Sequence, residues 1–147
     1  MQMHGTAIAR DQTSVILTGD SGSGKSDLAL RLLDRGWTLV GDDQLQLSHK
    51  EDHLFVAGDS RLRDTLEVRG LGLVSVPTAE TPVRVSLLVK LQPTIPRLPI
   101  AETCTLLGCE IPVVRLNAFE ISAPNKLEWA HRAPDIIGRT DLGDTGK

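Results

Sequence analysis

The chain has 147 residues, a formal net charge of -3, 40% hydrophobic and 24% charged residues, which is the composition of a soluble globular domain long enough to bury a core. With 3% aromatic residues, no tyrosine and no basic run, stacking platforms and phosphate-backbone grooves for nucleic acid are excluded as a main function. No stretch approaches the ~20 apolar residues of a membrane-spanning helix, and Cys104 and Cys109 match neither a redox nor a zinc spacing, so a reducing cytoplasm suits the chain.

In chain order, Ser14 to Thr18 (SVILT) reads as a short buried strand, and Lys25 to Arg35 as an amphipathic helix with Leu28, Leu32 and Leu33 on one side. Arg35-Gly36 stops that helix. Trp37 to Val40 is an apolar run of central-strand type that ends in Gly41-Asp42-Asp43. Gln44 to Ser48 and Leu54 to Ala57 form a hairpin around the polar tip from His49 to His53. Those two histidines flank a charged turn rather than one helix face, which does not make a metal pair. Leu66 to Val68 and Gly72 to Val76 flank a Gly-rich kink, and Val83 to Leu91 is the longest strand candidate. Prolines 77 and 82, then 93, 96 and 99, mark loops. A helix from Pro124 to about Arg132, capped near Ser122 or Ala123, is the last strong element. Many strands and few helices predict one α/β domain over 1–147 with a twisted, mixed and partly antiparallel sheet.

Between the first strand and the first helix lies "GDSGSGKS", Gly19 to Ser26, the full G-x-x-x-x-G-K-[ST] pattern of a phosphate-binding loop in its strand-loop-helix context. Gly19, Gly22 and Gly24 free the backbone so that successive N–H groups, with those of Asp20, Ser21 and Ser23 among them, can converge on phosphate oxygens. Lys25 adds a cation for the outer phosphates of ATP, Ser26 a hydroxyl for Mg²⁺, and the helix the positive end of its dipole. Phosphoryl transfer further needs carboxylates, for the metal and for the acceptor. Asp42 and Asp43 supply a pair at the end of the next strand, pointing to opposite sides, and these residues do not say which does which. No N-K-x-D run for guanine recognition is present.

Four blocks carry a resemblance: "HG" at His4-Gly5, the run from Gly19 to Asp43, "LEVRGLGLVSV" from Leu66 to Val76, and "RLPIAETCTLLGCEIP" from Arg97 to Pro112. On these the chain resembles the catalytic domain of HPr kinase/phosphorylase, the bacterial enzyme that phosphorylates a serine of the phosphocarrier protein HPr, in a short form without the family's N-terminal domain. The resemblance implies a P-loop kinase-like fold, ATP and Mg²⁺, an HPr-like partner and a homo-oligomer, a hexamer in the family. It also implies roles: Lys25 catalytic, Asp43 the general base, Glu67 a metal ligand beside Ser26, His4 at the phosphate site, and Arg97 neutralising the transferred group. Asp42 falls to the metal or to structure. After Pro112 the chain departs from the family's basic P-V-R-P-G-R run: it reads VVRLNAFE with a single arginine, Arg115, which predicts weak or absent phosphorylase activity. A kinase for a small-molecule hydroxyl, and a non-catalytic nucleotide-binding regulator, are the alternative functions.

Overall fold

The computed structural model describes residues 1–59 and 64–140. The chain runs β1 (Gln2–Arg10), β2 (Thr13–Thr18), α1 (Lys25–Leu33), β3 (Thr38–Lys50), β4 (His53–Gly58), β5 (Thr65–Val68), β6 (Gly72–Ser75), β7 (Val83–Leu91), β8 (Glu102–Leu106), β9 (Cys109–Leu116) and α2 (Ala123–Arg132), followed by a 3₁₀ turn at Pro134–Ile136. The expected mixed α/β sheet with few helices is what forms.

Three hairpins share one turn geometry. Asp11-Gln12, Glu51-Asp52 and Leu107-Gly108 all have positive φ at both central residues, the two-residue turn whose twist matches that of paired strands. The first creates β1, an element absent from the sequence reading, and the third creates β8 and β9, also absent there. β5 and β6 pair as a separate two-stranded sheet where a kink was expected. β3 does not end at Gly41-Asp42-Asp43 but continues to Lys50, and at 13 residues it exceeds β7. The helix α1 stops at Leu33, two residues short of the expected Arg35.

The seven-stranded sheet has the order β2-β1-β3-β4-β7-β9-β8, with a further β2–β7 pairing. Because β7 meets β2 along one edge, and β4 and β9 at opposite ends of the other, strands β2, β1, β3, β4 and β7 close into a ring. One core fills it, with Ala7, Ile16, Leu45, Val56 and Val85 contributed by its five strands. The second core lies between the outer face and the helices, where Leu17 and Val89 meet Leu28, Leu32 and Leu127. Each fully buried leucine contributes about 1.5–3 kcal/mol relative to exposure, so α1 is held by its apolar face and not by its short length. Glu128 of α2 accepts hydrogen bonds from Arg10 (2.7 Å), Arg35 (2.8 Å) and the Trp37 indole (3.0 Å), which ties that helix to β1 and to the end of α1.

Candidate active site

The strand β2 delivers the chain into the phosphate loop, and α1 carries it away. Gly24 is the N-cap of α1 at φ 96°, with no side chain capping the helix, so its first N–H groups are left for a ligand. A Cβ at Gly24 would stand 2.7 Å from Ala118 Cβ, so glycine is required there for space as well as for dihedral angle. The loop is closed by a Ser23 N–H bond to Asp20 O (3.0 Å). Lys25 Nζ folds back to donate to Gly19 O (2.7 Å) and Asp20 O (3.2 Å). Ser23 Oγ is buried against Gly19 with no partner. Uncapped N–H groups and a cation at one end fit a polyphosphate.

Strand register brings the other predicted residues alongside. β1 pairs with β2 as far as Thr6↔Leu17, just before the chain leaves β2 at Thr18 for the phosphate loop. On its other edge β1 pairs Gly5↔Asp43 and Thr6↔Asp42. Simple alternation puts Asp43 on the face of Gly5, away from His4. The backbone of Asp43 is instead at φ 76°, which breaks the alternation, and its Oδ1 lies 3.0 Å from His4 Nδ1. Both side chains remain open to solvent, 59% and 58% exposed.

Asp42 has a different environment. Its Oδ1 accepts the Thr6 hydroxyl at 2.8 Å. Burial pushes its carboxyl above the usual range and the charge of Asp43 adds to this, against the Thr6 hydroxyl and the backbone N–H groups of Asp43 and Glu67, which hold it down. The two aspartates thus differ in environment, Asp42 enclosed and Asp43 open, and they lie mid-strand rather than at a strand end; the positive φ of Asp43 turns it to the His4 side rather than leaving the pair on opposite sides. Glu67 contributes its backbone to Asp42, while its side chain is exposed on β5, anchored by the buried Leu66. Among the described residues no three His, Cys, Asp or Glu side chains cluster as a metal site. Ser26, Asp42 and Glu67 are compatible with Mg²⁺, which is held by one or two carboxylates together with substrate phosphates and water.

Arg97 is exposed in the 92–101 segment that leaves β7 beside the phosphate loop. A Gly19 Cβ would lie 3.1 Å from Leu91 O, at the end of β7. The structure does not bring Arg97 into contact with His4, Asp43 or Lys25. Arg115 is committed elsewhere: it grips Glu102 with two bonds of 2.9 Å and donates to Gln92 Oε1 at 2.8 Å. That hydrogen-bonded pairing holds the Glu102 carboxyl below its ordinary range. The sequence reading missed Thr6 and Glu102, whose importance depends on register across strands that were not foreseen.

A family profile described as "HPr Serine kinase C-terminal domain" matches residues 1–117. The chain belongs to this family. The HPr kinase/phosphorylase of Chromobacterium violaceum is 34% identical over 141 residues, covering 94% of this chain and 39% of that protein. That of Bordetella pertussis is 38% identical over 128 residues, covering 78% of this chain and 42% of its own length. The chain therefore spans about two-fifths of these curated relatives. Among solved structures, the Hpr(Ser) kinase/phosphatase from Coxiella burnetii superposes with a TM-score of 0.78 at 25% identity, covering 92% of this chain and 97% of that one. The fold is thus shared over nearly all of the HPr kinase-family chain. No helix among the described residues is long and apolar enough to cross a membrane.

Proposed function

We propose that this HPr kinase-family chain is an ATP-dependent kinase for a serine of an HPr-like phosphocarrier protein, with phosphorylase activity weak or absent. The observation that carries the reading is the His4–Asp43 pair, 3.0 Å apart, held by β1, the strand that also pairs with the one leading into the phosphate loop.

In this reading the loop N–H groups and Lys25 hold the β- and γ-phosphates, with Lys25 exchanging its two carbonyl partners for phosphate oxygens. Ser26, with Asp42 or Glu67, would hold Mg²⁺, which when bound offsets phosphate charge. Asp43 accepts the proton of the acceptor serine as its oxygen bonds to the γ-phosphorus. The bond from that phosphorus to the β–γ bridging oxygen breaks, and ADP departs. His4 orients the Asp43 carboxylate. Arg97 belongs to the reading through its loop, which must close toward the transferred group to neutralise it.

Phosphorolysis needs a second anion gathered beside phosphoserine, and like charges a few ångströms apart repel strongly in a low-dielectric site. Arg115, the cation nearest in sequence to that role, is already neutralised by Glu102. One observation favours a small-molecule acceptor instead: a cavity of about 670 Å³ lined by Gly41, Asp42, Asp59, Asp64, Thr78 and Glu80, within the ~300–1,000 Å³ of small-ligand sites. Its four carboxylates disfavour an anionic metabolite. Incubation with labelled ATP, Mg²⁺ and either HPr or a metabolite panel tests the choice. Label on HPr serine is the expected result, label on a metabolite supports the cavity, and no label refutes catalysis.

A further inference from the structure

Strands β2, β7 and β9 run parallel, so their carboxyl ends lie side by side and the loops leaving them share one rim. In open α/β sheets that rim is where ligands sit. The first of these loops is the phosphate loop, and the third is residues 117–122. Its backbone is clamped. Asn117 Oδ1 accepts the Phe119 N–H at 3.0 Å, and Asn117 Nδ2 donates to Pro93 O at 3.2 Å. Arg31, on the helix that starts at the phosphate loop, donates to Ala118 O and, at 3.2 Å, to Glu120 O. Ala118 is buried, yet Phe119 between these anchors is 65% exposed. Its ring edge lies 3.2 and 3.4 Å from where a Gly24 Cβ would be, against the glycine that opens the phosphate-binding helix.

The other described aromatic rings are packed or carry a partner. Trp37 lies in the core, Phe55 on β4 is half-buried, and the exposed Trp129 carries the Arg132 guanidinium 4.5 Å over its ring. Among the described residues Phe119 has no such cover. It is an apolar plane on a rigid backbone, one loop away from the phosphate cradle and on the same rim.

We propose that Phe119 is the platform on which the base of the nucleotide stacks, a binding residue distinct from the phosphate loop. This rests on the nucleotide reading given above. The ring supplies a π-face for the base, while the loop N–H groups take the phosphates. Affinity for a nucleotide is then the sum of two separable parts, and only one of them depends on Phe119.

The test is calorimetric titration of the whole chain with ATP and, separately, with tripolyphosphate, which has the phosphates but no base. Phe119→Ala should weaken ATP binding on the order of tenfold, the usual size of one base-aromatic contact, and leave tripolyphosphate affinity unchanged. Phe119→Leu, which keeps hydrocarbon against Gly24 without a ring, should behave like the alanine variant, and Phe119→Trp should retain ATP. Circular dichroism confirms that each variant is folded, as the ring's exposure leads one to expect. Wild-type ATP affinity in the alanine or leucine variant would overturn the assignment, as would a parallel loss of ATP and tripolyphosphate, which would make the ring a buttress of Gly24. If the unaltered protein bound neither compound, the nucleotide reading itself would fall, and this proposal with it.

Discussion

Replacing each of the two adjacent aspartates with asparagine should produce opposite phenotypes, because one is turned outward and the other is enclosed. Asp43 and His4 are more than half exposed, and pairs of that kind contribute ~0–1 kcal/mol to stability. Asparagine also tolerates the positive φ at position 43 better than alanine does. Asp43→Asn should therefore leave thermal stability nearly unchanged while lowering kcat by ~10²–10⁴, the range of a general base. At Asp42 the Thr6 hydroxyl donates to Oδ1 at 2.8 Å, and the backbone N–H groups of Asp43 and Glu67 lie close enough to favour its charged form. An asparagine has one acceptor oxygen, so a donor is left facing an amide N–H at a cost of about 1–3 kcal/mol. Removing a desolvated charge offsets part of this and points to the lower end, about 1 kcal/mol, or a fall in Tm of ~2–4 °C for a chain of this size. Asp42→Asn should lose less activity than Asp43→Asn. The assays are transfer of labelled phosphate to HPr and thermal denaturation of the same preparations. A larger loss of kcat in Asp42→Asn, with Asp43→Asn the less stable protein, would refute the division of roles. A loss of ATP affinity greater than the loss of turnover in Asp43→Asn would make Asp43 chiefly a metal ligand.

Lys25→Ala should abolish transfer while circular dichroism stays unchanged, since its partners among the described residues are two loop carbonyls; wild-type turnover with ATP still bound would remove the loop from the site. Gly24→Ala should lower Tm more than Gly22→Ala. Both positions carry positive φ, which strains an alanine by ~1–2 kcal/mol, but only at Gly24 does the new methyl meet another side chain, Ala118 at 2.7 Å, while Gly22 faces open space. Glu128 should contribute stability that acid removes. Desolvation raises its pKa, but hydrogen bonds from Arg35 and Trp37 and the charges of Arg35 and Arg10 prevail and hold it below the ordinary 4.5. Its contribution is then complete above that value and lost as pH falls through the folded-state pKa, so the gap in urea midpoint between wild type and Glu128→Gln should close on acidification, and a widening gap would contradict the sign. Given phosphorylated HPr, Mg²⁺ and millimolar phosphate, the protein should release little pyrophosphate. A rate near that of the kinase direction would show that the needed charge comes from somewhere other than Arg115.

The phosphate-loop pattern was legible because all of it lies within eight consecutive residues, Gly19 to Ser26, and the flanking strand and helix show their periods locally. The same holds for α2 and for β7, whose apolar runs and bounding prolines are local signals. The aspartate pair and Glu67 were also visible as residues, and resemblance attached roles to them. Their arrangement was not visible. Strand β1 has its turn at Asp11-Gln12, without the glycine that marks such turns in sequence, so nothing nearby announced a strand that pairs with both β2 and β3 and carries His4 to Asp43. Side-chain alternation alone would have sent Asp43 to the wrong face; one backbone dihedral, supported by pairing on both sides of β1 and β3, brought it to His4. Arg115 was visible only as the single arginine of its run; the pairing of β8 with β9 set Glu102 against it. The sequence by itself determined which chemical groups are present and the one cradle built from neighbours. Register between distant strands decided which carboxylate is enclosed, which is exposed and which cation is paired, because pairing is a contest among all strands at once and no single segment encodes its outcome.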